Sequence, residues 1–260
     1  MRRSRALSVF GWGTLLFLYL PVLVLAAFSF NASRYGSLWR GFTLEWYARL
    51  LDNQAILRST WNSLIVASAS CLLATLLGTL AATAQERFPW KRKAPVEALF
   101  FLPLVIPELM MAVGLLLFFG SLRMDLGIST LIVAHTTFNL PIVWLIVRTR
   151  LRKLDPRLED AAVDLGATRW EAFRKVTFPL LAPAVLGGAL MAFVISLDDF
   201  VISFFVSGPD STTLPVQIYS MLKFSIDPQV NALSAVLFAV SVAMVVGAWL
   251  LQGREDAHAR

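Results

Sequence analysis

A single cysteine, Cys71, removes disulfide bonding within the chain from consideration. The two histidines, His135 and His258, stand far apart and leave no HExxH pair or histidine cluster for a catalytic metal. No Gly-x-x-x-x-Gly-Lys sequence occurs, which excludes a phosphate-cradling loop of the P-loop kind, so any ATP-driven step needs another chain to hydrolyse the nucleotide. Charge is scarce as well: Asp, Glu, Lys and Arg make up 15% of the 260 residues against 57% hydrophobic residues, a balance that excludes a soluble domain of this size.

Long apolar runs take the place of charge. Positions 6–33, 59–85, 126–147 and 228–253 are charge-free over 28, 27, 22 and 26 residues, each enough for the roughly 20 residues that a helix needs to cross a bilayer. Two further runs are interrupted only by acids: Glu108 within 98–122, and Asp198 with Asp199 within 176–206. The chain therefore reads as an all-α polytopic membrane protein, a single transmembrane domain over residues 1–260. Its six spans are expected near 8–30, 60–84, 98–120, 127–147, 179–206 and 229–251. The twin Arg2-Arg3, the apolar stretch after it and Ala26-Ala27 imitate a secretory signal, but the stretch is too long for one and reads as the first span.

Lys and Arg are distributed unevenly between the spans. With the N-terminus inside, seventeen fall on inner segments and six on outer ones, which places both termini and residues 155–179 in the cytoplasm. This bias also accounts for the net charge of +6, so the basicity reads as membrane topology and no nucleic-acid partner is expected.

Residues 155–179, DPRLEDAAVDLGATRWEAFRKVTFP, form a polar, helix-patterned segment between the fourth and fifth spans. Asp155 can cap a first helix, with Pro156 at the position where no backbone donor is needed. Leu158, Ala161, Ala162 and Leu165 recur at helical spacing, and Gly166 is a natural stop. Thr168 and Glu171 have the Thr-x-x-Glu form of a capping box that opens a second helix, with Ala172, Phe173 and Val176 on its apolar side. Such a pair of helices, flanked by Arg157, Arg169, Arg174 and Lys175, suits a groove on a cytoplasmic partner; a membrane-surface helix drawn to anionic lipid has the same pattern.

The intramembrane acids are the candidate solute-path residues, because a carboxylate in hydrocarbon costs at least ~2.5 kcal/mol and normally faces a cavity or a partner. Glu108 follows Pro103 and Pro107, which can kink the third span and free backbone carbonyls beside a path. Adjacent helical residues point about 100° apart, so Asp198 and Asp199 are not expected to share one cavity. Asp198 with Glu108 is expected to offer negative charge to a cationic solute, while Asp199 caps a helix break or pairs elsewhere. Capping, helix packing or pairing with a neighbouring subunit would explain the same acids. Trp46, Tyr47, Trp144 and Tyr219 could add cation–π contact or form an interfacial aromatic belt. His135, alone in a span, reads first as a hydrogen-bonding partner of a neighbouring helix.

Asp160-Ala161-Ala162, Gly166, Val176 and Phe178-Pro179 keep the spacing of the motif Glu-Ala-Ala, three residues, Gly, nine residues, Ile, one residue, Leu-Pro. By this motif the chain resembles the permeases of binding-protein-dependent ABC importers, with Asp160, Val176 and Phe178 as conservative departures. The resemblance implies an importer of the type I fold, in which residues 155–178 form a coupling helix received by an ATPase subunit through Asp160, Ala161, Ala162, Gly166, Val176 and Pro179. A narrower resemblance, carried by SLDDFVISFFVSGPDSTTLPVQIYSMLK at 196–223 and by LWRGFTLEWYARLLDN, is to polyamine permeases of the spermidine/putrescine system. It implies a bacterial inner-membrane assembly of two homologous permeases, two cytoplasmic ATPases that bind the ATP, and an extracytoplasmic solute-binding protein that delivers a small polyamine. An ABC permease for another solute remains the alternative. A secondary transporter would leave the coupling motif without a purpose, and neither a channel filter nor a set of catalytic groups is legible.

Overall fold

The computed structural model describes residues 5–33, 38–88, 93–224, 228–240 and 242. Among these residues the regular elements are helices, with one isolated bridge between Asn31 and Phe42. The helices are α1 (Arg5–Phe28), α2 (Glu45–Asp52), α3 (Gln54–Arg87), α4 (Lys93–Val105), α5 (Glu108–Ser121), α6 (Ile128–Lys153), α7 (Arg157–Asp164), α8 (Arg169–Ala172), α9 (Phe178–Asp198), α10 (Val201–Val206), α11 (Leu214–Phe224) and α12 (Gln229–Val240). A π-helical turn, Phe173–Thr177, runs from α8 into α9.

Four helical stretches are long and apolar enough to cross a membrane: Ser8–Phe28, Gln54–Arg87, Ile128–Lys153 and Arg169–Asp198. The third expected span is broken. Pro107 lacks a backbone donor and follows Ile106 at the end of α4, and there α4 and α5 bend by 107° to make a broken span or a re-entrant loop. Only the first part of the sixth expected span, α12, lies within the described residues; positions 243–251 fall outside them, as do Arg2, Arg3, Arg34, Lys91, Arg92, Arg254, His258 and Arg260.

The chain divides into two compact units, residues 58–217 and residues 1–57 with 218–260. In the second of these, Asn31 organises the segment after α1. Its amide donates to the Leu38 carbonyl, its side-chain oxygen accepts from the Ser33 and Arg40 amides, and its carbonyl accepts from the Trp46 indole at 2.8 Å. Trp46 is buried as a result, with the Arg49 guanidinium 5.0 Å from its ring centroid.

In the unit of residues 58–217, α6 is the axis. On its C-terminal half Val143, Trp144, Val147 and Leu151 meet Ala74 and Ala82 of α3 and Leu181 and Ala192 of α9. On its N-terminal half Leu131 and Ala134 meet Val66 of α3, Ala112 and Phe119 of α5, and Ile202 and Val206 of α10. Small residues set the spacing, as is usual where helices associate in lipid. A Cβ on Gly78 would stand 3.0 Å from the Trp144 nitrogen, and one on Gly188 would stand 3.4 Å from Val143 Cγ1, so α3 and α9 both close on Val143.

The loop after α10 folds onto the α5–α6 turn, and Gly208 is the closest approach. A Cβ there would lie 1.9 Å from the Leu126 carbonyl oxygen and 2.7 Å from its carbon, both backbone atoms that cannot rotate away. The loop is also tied to α3, since Asn62 donates to the Asp210 and Thr212 carbonyls and Ser63 accepts from the Leu214 amide. Gly208→Ala is expected to destabilise the protein by the ~1–3 kcal/mol typical of overpacking, read as a lower midpoint of thermal unfolding in detergent. An unchanged midpoint would show that this loop can lift off α6 freely.

Candidate functional site

Two regions gather the residues singled out in the sequence. The first is the segment between α6 and α9. The Arg157 amide donates to Asp155 Oδ1 at 3.0 Å, so Asp155 caps α7 with Pro156 between them. Gly166 takes φ +93°, a left-handed conformation that ends α7, and Thr168 and Glu171 form a reciprocal capping box at the start of α8. The expected helix pair is therefore present, with one difference: the second helix does not stop before the fifth span but enters it through the π-helical turn. α8 is thus continuous with α9, with no loop between them.

The inward face of this segment is polar. Glu159 pairs with Arg87 at the end of α3 at 3.0 Å and also accepts from the buried Thr177 hydroxyl, pinning α7 to two other elements. Apolar side chains stand uncovered among charges on the outward face: Leu158, Val163, Leu165 and Trp170 are exposed, Leu165 at 90%, beside exposed Arg157, Asp164 and Arg169. Asp160, Ala161, Gly166 and Pro179 are exposed as well, while Ala162 and Val176 are half-buried. The Glu159 anchor was not evident beforehand, because its partner lies 72 positions away and its charge reads simply as part of a solvated helix.

The second region lies where the helix breaks meet. Asp199 ends α9 and caps α10: its Oδ1 accepts from the Ile202 amide at 3.3 Å, and its Oδ2 from the Ser203 amide at 2.8 Å and the Ser203 hydroxyl at 2.9 Å. His135 of α6, 2% exposed, places Nε2 3.1 Å from Ser203 Oγ and 3.3 Å from Asp199 Oδ2. Its Nδ1 lies 2.6 Å from Ser196 Oγ, which lies 3.1 Å from Ser70 Oγ on α3. Glu108, the first residue of α5 after the proline break, interacts with the Asp199 carboxylate through its side chain.

Glu108 and Asp199 are therefore the acids brought together. Asp199 is buried and takes the cap, whereas Asp198 is exposed, in keeping with the angular separation of adjacent positions. The order Ser196–His135–Asp199 superficially matches an acyl-transfer triad, but Ser196 is only 5% exposed and its oxygen is engaged by Ser70. The three serines gave no periodic signal; polar residues scattered through apolar spans, which commonly bond between helices, were the available sign.

The aromatic residues hold cations of their own chain. Besides Arg49 over Trp46, Arg148 stands 4.8 Å from the Trp144 ring centroid and Lys223 5.8 Å from that of Tyr219. The Tyr47 hydroxyl is 2.6 Å from Ser29 Oγ.

A bundle of apolar helices with a capped, surface-exposed helix pair before its fifth span and acids at helix breaks defines a membrane transport subunit. Residues 74–253 match the family described as binding-protein-dependent transport system inner membrane component, and the chain belongs to that family. It is 41% identical to the spermidine/putrescine transport system permease protein PotC of Escherichia coli (strain K12), over 90% of this chain and 89% of that protein. It is 39% identical to the putrescine transport system permease protein PotI of the same strain, over 92% and 88%. A solved bacterial ABC transporter involved in the import of the acidic polysaccharide alginate has the same fold, with a TM-score of 0.74, 14% identity, and coverage of 97% of this chain and 98% of that one.

Proposed function

We propose that this chain is the transmembrane permease subunit of an ATP-driven importer of polyamines of the spermidine/putrescine class, working with a second homologous permease, cytoplasmic ATPases that bind and hydrolyse ATP, and an extracytoplasmic solute-binding protein. The identity of 41% over 90% of the chain with a permease named for these solutes carries the reading. The fold alone does not select a polyamine, since a fold neighbour serves an acidic polysaccharide. Acids at helix breaks support the cationic choice, because a primary ammonium offers three donors to carboxylates that are costly to leave unpaired in an apolar bundle.

In the proposed cycle both termini and the α7–α8 segment face the cytoplasm. Leu165 and Trp170 dock on the ATPase, and closure of the ATPase pair on ATP moves α7 and α8. The continuous helix through Phe173–Thr177 then carries that movement into α9, and the break at Asp199 is where α9 meets the solute path. Glu108 and Asp198 supply exposed carboxylates along it.

Uptake of radiolabelled putrescine into proteoliposomes holding the complete complex tests this. Saturable, ATP-dependent uptake is expected, and Glu108→Gln and Asp198→Asn are each expected to raise KM about tenfold, corresponding to ~1.4 kcal/mol, with assembly intact. Unchanged kinetics in both variants would remove the acids from the solute path, and wild-type uptake that no polyamine competes for would remove the substrate assignment.

A further inference from the structure

We infer that His135 is a positioning residue for transport: through Nε2–H it holds the Asp199 side chain on the break between α9 and α10, and so sets the surroundings of Glu108, the exposed carboxylate that meets a cationic solute. The solute part of this rests on the function proposed above; the positioning part rests on the hydrogen bonds alone.

The hydrogens assign themselves. The Ser203 hydroxyl has one proton and gives it to Asp199 Oδ2 at 2.9 Å, so toward His135 Nε2, 3.1 Å away, Ser203 can only accept. Nε2 therefore carries a hydrogen. Nδ1 lies 2.6 Å from Ser196 Oγ and Ser196 Oγ lies 3.1 Å from Ser70 Oγ, while the Ser70 hydroxyl also donates to the Ala67 carbonyl at 3.3 Å. These contacts join Ser70 on α3, Ser196 on α9, His135 on α6 and Ser203 on α10 in one network that ends on Asp199.

The network has a consequence for Asp199. Its Oδ2 lies within 2.8, 2.9 and 3.3 Å of the Ser203 amide, the Ser203 hydroxyl and His135 Nε2, and its Oδ1 accepts from the Ile202 amide. One oxygen is saturated and the other engaged once, so the orientation of the carboxylate is fixed from two helices, α6 and α10. His135 belongs to α6, the packing axis of the unit, whereas Asp199 sits on a break with extended backbone, φ −65° and ψ 121°. The histidine thus ties the helix break to the packing axis of the unit. Without it, Asp199 keeps the amides and hydroxyl of its own turn, Ile202 and Ser203, which move with the break, and the side chain of Glu108, itself at a helix break.

The chemistry separates the two ring nitrogens. A glutamine amide reaches about as far as Nε2 and an asparagine amide about as far as Nδ1, so His135→Gln can restore the link to Ser203 and Asp199, while His135→Asn restores only the link to Ser196 and His135→Leu restores neither. In the reconstituted complex with radiolabelled putrescine, Asn and Leu are expected to raise KM about tenfold with kcat within about twofold of wild type, and Gln to stay within about threefold on both. A second readout needs no substrate. Amide hydrogen exchange in a peptide covering 199–206 is expected to accelerate at least tenfold in Asn and Leu and not in Gln, because a loosened Asp199 releases the Ile202 and Ser203 amides.

Rescue by Asn in place of Gln, identical exchange in all variants, or failure of all three variants to accumulate in the membrane would overturn the inference, the last by making His135 a folding residue. A wild-type complex that takes up no polyamine while the exchange pattern holds would instead retire the proposed substrate and leave the positioning role standing.

Discussion

Replacing Gly166 with Val is expected to leave the protein in the membrane at wild-type abundance, to preserve ATP hydrolysis by the assembled complex, and to cut uptake by more than tenfold. Gly166 adopts φ +93°, where a side chain costs ~1–2 kcal/mol and a β-branched one more. No atom lies within 4 Å of the position a Cβ would take, so the effect cannot arise from a clash and must pass through the backbone. A Val would relax toward negative φ and swing α7 relative to α8. The segment is small, exposed and anchored inward mainly through Glu159 to Arg87 and Thr177, so a cost of this size rearranges it without unfolding the bundle. The graded series separates conformation from bulk: Asn, which tolerates the left-handed region, is expected to retain most uptake, and Ala to fall between Asn and Val. Equal loss for Asn and Val, or disappearance of the protein from the membrane, would assign Gly166 to folding.

The legibility of this segment in the sequence came from short-range chemistry. Asp155, Gly166 and the Thr168–Glu171 box each act on backbone within three residues of themselves, and each local signal proved to be the local structure. The long apolar runs were equally plain, since a helix in lipid satisfies its own backbone and needs no partner to be recognised. The third run showed the limit of this reasoning. Pro103 and Pro107 announced a kink, but a bend of 107° depends on what α5 packs against, namely α10 and α6, and that is not a property of the run itself.

The candidate site was legible by residue and not by arrangement. Adjacent positions on a helix diverge by about 100°, which separated Asp198 from Asp199 in advance. The sequence reading set Asp198 with Glu108, whereas Asp199 is the one beside Glu108, because the answer depends on two helix breaks converging from opposite parts of the chain. His135 was recognised as an interhelical hydrogen-bonding residue, yet its partners Ser196 and Ser203 lie 61 and 68 positions away. Arg148 shows the same blindness more sharply: it entered the topology count as one of many inner cations, and only packing reveals that it is 4% exposed.

Arg148→Leu is expected to destabilise the bundle strongly. The guanidinium bridges two acids, with Nε 2.6 Å from Glu86 of α3 and its other end paired with Glu97 of α4, and it covers the face of Trp144. Trp144 is itself held by Gln85 at 2.9 Å and stacked on Phe100 at 4.8 Å, so one cation joins α3, α4 and α6. Removing one partner of a buried ion pair costs about 3–5 kcal/mol, since it leaves the remaining charge unpaired. The lower end applies, because the Glu86 and Glu97 side chains keep 19% and 30% exposure and Arg152 lies 3.0 Å from the first and 3.7 Å from the second. About 3 kcal/mol corresponds to a fall in Tm of roughly 6–12 °C for a domain of this size, measurable by thermal unfolding in detergent. Lys in place of Arg restores the charge but not the planar fork that reaches both acids, so Arg148→Lys is expected to recover less than half of the loss. Adding Glu97→Gln to Arg148→Leu relieves one stranded carboxylate and is expected to raise Tm above that of the single variant. A double variant no more stable than the single one would show that the cation acts through its cover on Trp144 and not through the acids.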